Sequence, residues 1–436
     1  MTGAPQSRPL ALVNARLVDP ESGYDGPGSL VVQDGLIADV LRSPRLDAPS
    51  LDLEVVDCAG ALLAPGLIDI RVKTGEPGGE TKETLKSAGR AAAAGGVTTM
   101  VVQPDTDPVI DEPAMVDFIL RRARDTGLVH VYPAGAATKG LNGEEMAEIG
   151  LMHEAGARYI TDADRSILDS RVLRRVMSYA RGFGAIVAHR PADPFLTRGA
   201  AATEGEFTGR LGIPSGPAVA ERIMLERDLA LAELTGACLI VDQVTTHDAL
   251  DALSRAKLKG VNAFATCSIN HLSFNELDIG DYRTFYKLNP PLRTEHDREA
   301  VIEGLTEGLI DIVVSAHAPA PAEDKRLPYD EAAPGAVGLE TLLPALLALH
   351  HERDIPLALL LRAVTLAPAN LLNLKAGRLA QGAPADLVLC DIAAPVVIDA
   401  DKLVSKSKNS PFDGRRLQGR VLRTLVEGRT VFQAEG

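Results

Sequence analysis

Arg71 and Lys73 are the residues on which any chemistry of this chain turns. They stand two apart near the end of Pro65-Gly66-Leu67-Ile68-Asp69-Ile70-Arg71-Val72-Lys73-Thr74-Gly75-Glu76-Pro77-Gly78, a short apolar run with a polar tip. The run breaks at Glu76-Pro77-Gly78, a turn signal. Residues two apart on a strand share a face, so the guanidinium and the ammonium point the same way from the strand's C-terminal end. Two fixed cations in one pocket repel a divalent metal ion, and neither is an ordinary zinc ligand at neutral pH. Other chemistries leave no mark. No Gly-x-Ser-x-Gly elbow signals a Ser-His-Asp arrangement, and Gly205-Glu206 with Gly209 lacks the Lys-Ser/Thr ending of a phosphate loop. Cys58, Cys238, Cys267 and Cys390 lie far apart with no Cys-x-x-Cys, which reads as four small apolar residues rather than a metal knuckle.

The elements that must position this tip follow from the pattern of the whole chain. With 436 residues the chain can bury a large core, and one barrel with a small accessory domain is the economical reading. The composition, 46% apolar and 24% charged, is that of a water-soluble globular protein. A net charge of −14 argues against nucleic acid or an anionic membrane as partner. No apolar run approaches the ~20 residues needed to span a bilayer. Met1 to Pro9 lacks a basic start followed by an apolar run, so a cytoplasmic protein is expected.

Residues 10–58 alternate in short runs separated by turns such as Asp34-Gly35, and about 378–436 has the same texture. Between them apolar strands alternate with amphipathic helices. The strands are predicted at 67–73, 97–103, 128–132, 158–162, 185–189, 237–242, 260–267 and 311–315. Helices are predicted at 80–95, 113–125, 143–155, 168–182, 216–235, 246–258 and 294–308, and further ones at 338–351 and 356–373. The fold class expected is α/β: a (β/α)8 TIM-like barrel over 65–377, with a small β-rich domain built from 1–64 and 378–436. A doubly wound open sheet is the alternative, but no Gly-rich phosphate loop follows the first strand. The long connections 190–215 and 317–337 each follow a barrel strand, as loops that cover a site or meet a partner do.

The opening stretch resembles the motif of dihydroorotases and other cyclic amidohydrolases, Pro-Gly-x-Ile-Asp-x-His-x-His-x-Arg-Glu-Pro-Gly. The resemblance runs through Gln103-Pro104-Asp105-Thr106-Asp107-Pro108, Thr161-Asp162, Ala188-His189 and Lys287-Leu288-Asn289-Pro290-Pro291-Leu292-Arg293. It ends with Gly338-Leu339-Glu340-Thr341 and Ser405-Lys406-Ser407-Lys408-Asn409-Ser410-Pro411-Phe412.

What the resemblance implies is a depleted site. The family holds two metal ions with histidines and a bridging carboxylate or carboxylated lysine, and uses an eighth-strand aspartate as general base. Hydrolysing a cyclic amide at neutral pH needs a metal-activated water and a proton acceptor. Here the strand-one histidines are Arg71 and Lys73, the strand-six histidine is Gln243, and the catalytic aspartate is Ala316. Asp162 and His189 alone keep ligand-type side chains, and a one-residue shift would put Ala163 at the bridging position. In the substrate pocket the family's arginine is Gly75, its asparagine is Asp105 and its last histidine is Ala320, whereas Asn289 and Gly335 remain.

No metal cofactor is therefore expected, and Arg71 or Lys73 is expected to fill the vacated space and pair with Asp162. Asp242, beside Gln243 on a strand, is expected to face away, as is His317 beside Ala316. His247 is set aside as a replacement ligand, and His271, His296, His350 and His351 are read as surface or packing residues. By resemblance to degenerate homologues, the chain is expected to be a non-catalytic structural subunit, an oligomer associated with aspartate carbamoyltransferase in pyrimidine synthesis. Two alternatives stand: a working cyclic amidohydrolase with zinc on Asp162 and His189, and a protein that binds a small ligand through Asn289 and the 317–337 loop.

Overall fold

The computed structural model describes residues 9–44 and 53–435. Met1 to Arg8, read above for a signal sequence, lie outside the described residues.

Strands from both ends of the chain make one sheet. Its order is Arg429–Gln433, Arg416–Val426, Leu387–Val397, Leu62–Pro65, Leu10–Asp19, Tyr24–Gln33 and Leu36–Leu41, with Glu54–Asp57 paired to Leu10–Val13. The ends meet where Leu387–Cys390 run antiparallel to Leu62–Pro65. The Asp34-Gly35 turn has positive φ at both residues, 52° and 80°, the geometry of a two-residue hairpin whose twist matches its strands. Leu12, Leu17, Leu30, Leu63, Leu387 and Leu425 pack a core that belongs to this sheet.

The middle of the chain is a closed parallel barrel. Leu67–Val72 pairs with Val97–Val102 and that with His130–Pro133. The fourth position is a single bridging residue, Ile160, joined to Gly135 and Val187. Val187–His189, Leu239–Val241, Ala263–Ser268 and Ile312–Val314 follow in parallel register. Lys73 N–H donates to the His317 carbonyl at 2.8 Å beside the Val72–His317 bridge, which closes the ring. Ile68, Ile70, Val101, Ala188, Ile240 and Ile312 fill the interior, so the barrel is a packed core and its chemistry is confined to one mouth.

The helices fall near their predicted positions, with three differences. The first starts at Leu85, capped by Thr84, because Glu76–Lys82 is spent on turns. The third is shortened to Ile149–Ala155. The stretch 356–373 splits into Leu357–Val364 and Leu366–Leu371, because Thr365 has φ −135° and ψ −77°, outside the helical region. The 317–337 connection is tied down by Lys287 Nζ on the Asp330 carbonyl (2.8 Å) and by Asn409 Nδ2 on the carbonyls of Ala318 (3.1 Å) and Gly335 (2.9 Å). Among the described residues no helix is long and apolar enough to cross a membrane.

Candidate functional site

All six residues of Leu67–Val72 are buried, and Arg71 lies 3% exposed at the mouth. A buried guanidinium must be paired. Its Nε donates to both Asp242 oxygens (2.9 and 2.8 Å) and its Nη2 to Asp164 Oδ1 (2.5 Å). Lys73 Nζ bridges the other Asp164 oxygen (2.6 Å) and Asp105 Oδ2 (2.7 Å). With its amide oxygen toward the cations, Gln243 accepts from Arg71 Nε (2.9 Å) and from Arg190 Nη1 (3.2 Å). Arg190 Nη2 in turn donates to Asn289 Oδ1 (3.0 Å). Three cations, Arg71, Lys73 and Arg190, thus face three carboxylates, Asp105, Asp164 and Asp242.

The electrostatics match. Burial alone would raise the Asp164 carboxyl, but the Lys73 and Arg71 charges override it and hold the group far below the usual carboxylate range. Burial works against the charged forms of Arg71 and Lys73. Asp242 and Asp164 more than offset it for Arg71, as Asp105 and Asp164 do for Lys73, so both stay above their ordinary values. Arg190 is pushed down to about 10, by burial first.

The expected pairing with Asp162 is corrected: the partner is Asp164. Asp162 accepts from Ala137 N–H and Thr138 N–H (both 2.9 Å) and from Thr138 Oγ1 (2.5 Å), which leaves it bound to the neighbouring loop. Ala163, at φ +53°, turns the chain over and sends Asp164 into the mouth. Nor is Ala163 a substitute position, since it carries no ligand atom. The orientation expected of Asp242 is also corrected. Asp242 keeps the period of two with Ile240 of the barrel interior and so faces inward, and it is Gln243, at φ +62°, that leaves the alternation and turns into the mouth beside it. Asp164 and Arg190 are the members of this network that the sequence reading did not name, and Asp242 is the one it set aside. The i, i+2 carboxylates Asp162 and Asp164 were the available signal.

His189 has no free nitrogen. Nε2 accepts from Ile167 N–H (2.8 Å), so Nδ1 carries the proton and donates to Asp228 Oδ2 (2.6 Å). At the eighth strand Ala316 stands at φ +52° with no group to accept a proton, and Ser315 Oγ donates to buried Asp69 beneath it. Burial pushes the Asp69 carboxyl up to about 6. His317 faces away from the mouth, toward Glu83 (3.7 Å).

A cavity of about 250 Å³ remains above the ion network, lined by Lys73, Asp105, Asn270, His271, Asn289 and Gly335 among others. His271, read as a surface or packing residue, is buried against this cavity, and burial followed by Arg293 pushes it down to about 3. Gly75, at φ +76°, has no room for a side chain, because an added Cβ would lie 2.5 Å from the Gly79 carbonyl oxygen. Ala320 N–H donates to Asn409 Oδ1 (3.1 Å).

The residues present do not fit a binuclear metal centre. Asp105, Asp164 and Asp242 are each engaged by a fixed cation, and both His189 nitrogens are in use. Among the described residues no group of three or more His, Cys, Asp or Glu side chains is disposed to hold an ion.

A closed eight-position barrel joined to a sheet made from both chain ends defines the amidohydrolase class. The solved structures agree on the fold. L-hydantoinase from Arthrobacter aurescens superposes with a TM-score of 0.86 at 24% identity, over 97% of this chain and 96% of that one. A dihydropyrimidinase from Brevibacillus agri does so at 0.84 and 20%, over 98% and 95%. The chain belongs to the dihydroorotase family: the Dihydro-orotase-like model matches residues 60–249 and the Amidohydrolase family model residues 199–431. Relatives named dihydroorotase are 42% identical in Desulforapulum autotrophicum, over 97% of this chain and 98% of that one, and 39% identical in Anaplasma phagocytophilum, over 98% and 96%.

Proposed function

We propose that this chain is a non-catalytic dihydroorotase-like protein of pyrimidine synthesis, working in the cytoplasm as a structural subunit of an oligomer with aspartate carbamoyltransferase. The observation that carries the loss of catalysis is the Asp164 carboxylate, shared between Arg71 and Lys73 in the mouth of the barrel. Ring hydrolysis needs an activated water and a base placed to take its proton. The carboxylates in the mouth are committed to cations, and the eighth strand offers only Ala316. The partner rests on the resemblance to degenerate homologues, and no resident metal belongs to this reading. Purified protein tests it: metal content, interconversion of carbamoyl-aspartate and dihydroorotate, and co-elution with aspartate carbamoyltransferase. Two metals per chain with turnover would sink it.

The names of the relatives favour a competing reading, a working dihydroorotase with zinc on Asp162 and His189. Against it weigh the hydrogen bonds that already occupy both side chains. The cavity favours a third reading, a binder of a small ligand. Asn270 Oδ1 and His271 Nδ1 line it and are buried without a hydrogen-bond partner. Thermal stability that rises with dihydroorotate or carbamoyl-aspartate would support it.

A further inference from the structure

The helix Ser170–Gly182 is out of character with the rest of the chain. Its thirteen residues, SRVLRRVMSYARG, carry Arg171, Arg174, Arg175 and Arg181 and no carboxylate, in a protein of net charge −14. Leu173, Val176, Met177 and Ala180 face the core, which turns the arginines, Ser178 and Tyr179 outward. Arg171 is taken by Asp169 at the helix start (2.9 Å), and Arg181 Nη1 donates to the Thr235 carbonyl (2.8 Å). Arg174 and Arg175 have no ion-pair partner among the described residues.

Apolar side chains border this cationic strip. Tyr179 and Phe183 are 42% and 40% exposed, with ring centroids 5.0 Å apart. Phe183 closes over Gly150, where an added Cβ would lie 2.7 Å from the ring, and the next residue, Leu151, is 54% exposed. On the other edge Leu234, beside the Thr235 that anchors Arg181, is 68% exposed. Exposed aromatics and arginines together are the composition of interface centres.

We infer that this face, centred on Arg174, Arg175 and Tyr179, is the docking surface for an acidic face of another protein, and it rests on the assembly reading above. Charge selects the occupant. A twofold contact between copies must be self-complementary, and this helix has no carboxylate of its own to answer Arg174 and Arg175. Nucleic acid would have to approach a molecule of net charge −14 to reach this strip. A partner with clustered carboxylates matches the strip and gains speed of encounter from it.

The test uses full-length protein and purified aspartate carbamoyltransferase from the same cell. Arg174→Glu/Arg175→Glu alters two exposed side chains outside the barrel mouth, and an unchanged Tm certifies its fold. The expected result is binding weakened by about tenfold or more, with wild-type binding falling steeply as salt rises. Tyr179→Ser should weaken binding without changing the salt slope. Equal affinity of wild type and the double variant overturns this assignment and leaves the assembly standing. Failure of the wild type to bind at all overturns the assembly reading and this inference with it. Wild type that instead forms homodimers broken by the double variant, or that retains duplex DNA through these arginines, also overturns the inference.

Discussion

Arg71 lays its Nε across both carboxylate oxygens of Asp242, at 2.9 and 2.8 Å, joining residues 171 positions apart. The contact ties the first barrel strand to the end of the sixth element of the ring, and both side chains are more than nine-tenths buried. The end of the first barrel strand, where the resemblance led one to look for metal ligands, is here cross-linked by charge.

Breaking that link leaves a buried charge alone. Arg71→Met strands Asp242 and half of Asp164, and is expected to cost about 3–5 kcal/mol. Arg71→Met combined with Asp242→Leu and Asp164→Leu should recover much of the loss, since a packed apolar replacement of a buried network is often neutral. Denaturant unfolding of the variants checks both; a triple variant no more stable than Arg71→Met would contradict it.

Acid should loosen the barrel through Asp164. Its folded value lies below the unfolded one, so the unfolded state binds more protons as pH falls. The stability it supplies is therefore present above the unfolded value of about 4 and is lost as pH drops further. Asp164→Asn should flatten the acid limb of a Tm-against-pH curve while lowering the plateau.

Lys325 should give a slope at the opposite end. It is 4% exposed, donates among the described residues only to the carbonyls of Thr284 (3.1 Å) and Lys287 (3.4 Å), and is pushed down to about 7 by burial and then Lys287. The unfolded lysine titrates near ~10.4, so between the two values the unfolded state holds the extra proton and stability rises with pH. Lys325→Met should remove the rise between about pH 7 and 10. An unchanged slope in the variant would assign the effect elsewhere.

Introducing an arginine at Gly75 should fail. The residue's φ of +76° and the 2.5 Å approach of an added Cβ to the Gly79 carbonyl oxygen forbid it. Gly75→Arg is expected to lose about 1–3 kcal/mol of stability without conferring affinity for dihydroorotate. Calorimetric titration and thermal melting of the same sample read both outcomes.

Metal should be irrelevant to stability. Zinc or EDTA added to purified protein is expected to leave Tm unmoved, because an ion that binds the folded state must raise it. A Tm that rises with zinc and falls with EDTA would contradict the ion-network description of the mouth.

The sequence by itself determined the alternation of strands and helices, the hairpin at Asp34-Gly35 and the shared face of Arg71 and Lys73. Those features depend on local periodicity and on turn chemistry, which neighbouring residues impose. Tertiary structure alone decided which carboxylates answer the two cations. Asp164 reaches the mouth because positive φ at Ala163 ends the period of two just before it, and Asp242 shares the mouth with Gln243 because positive φ at Gln243 breaks the alternation between them. From there the direction of a side chain is set by what the closed ring brings opposite it, and a buried cation takes whichever carboxylate it meets.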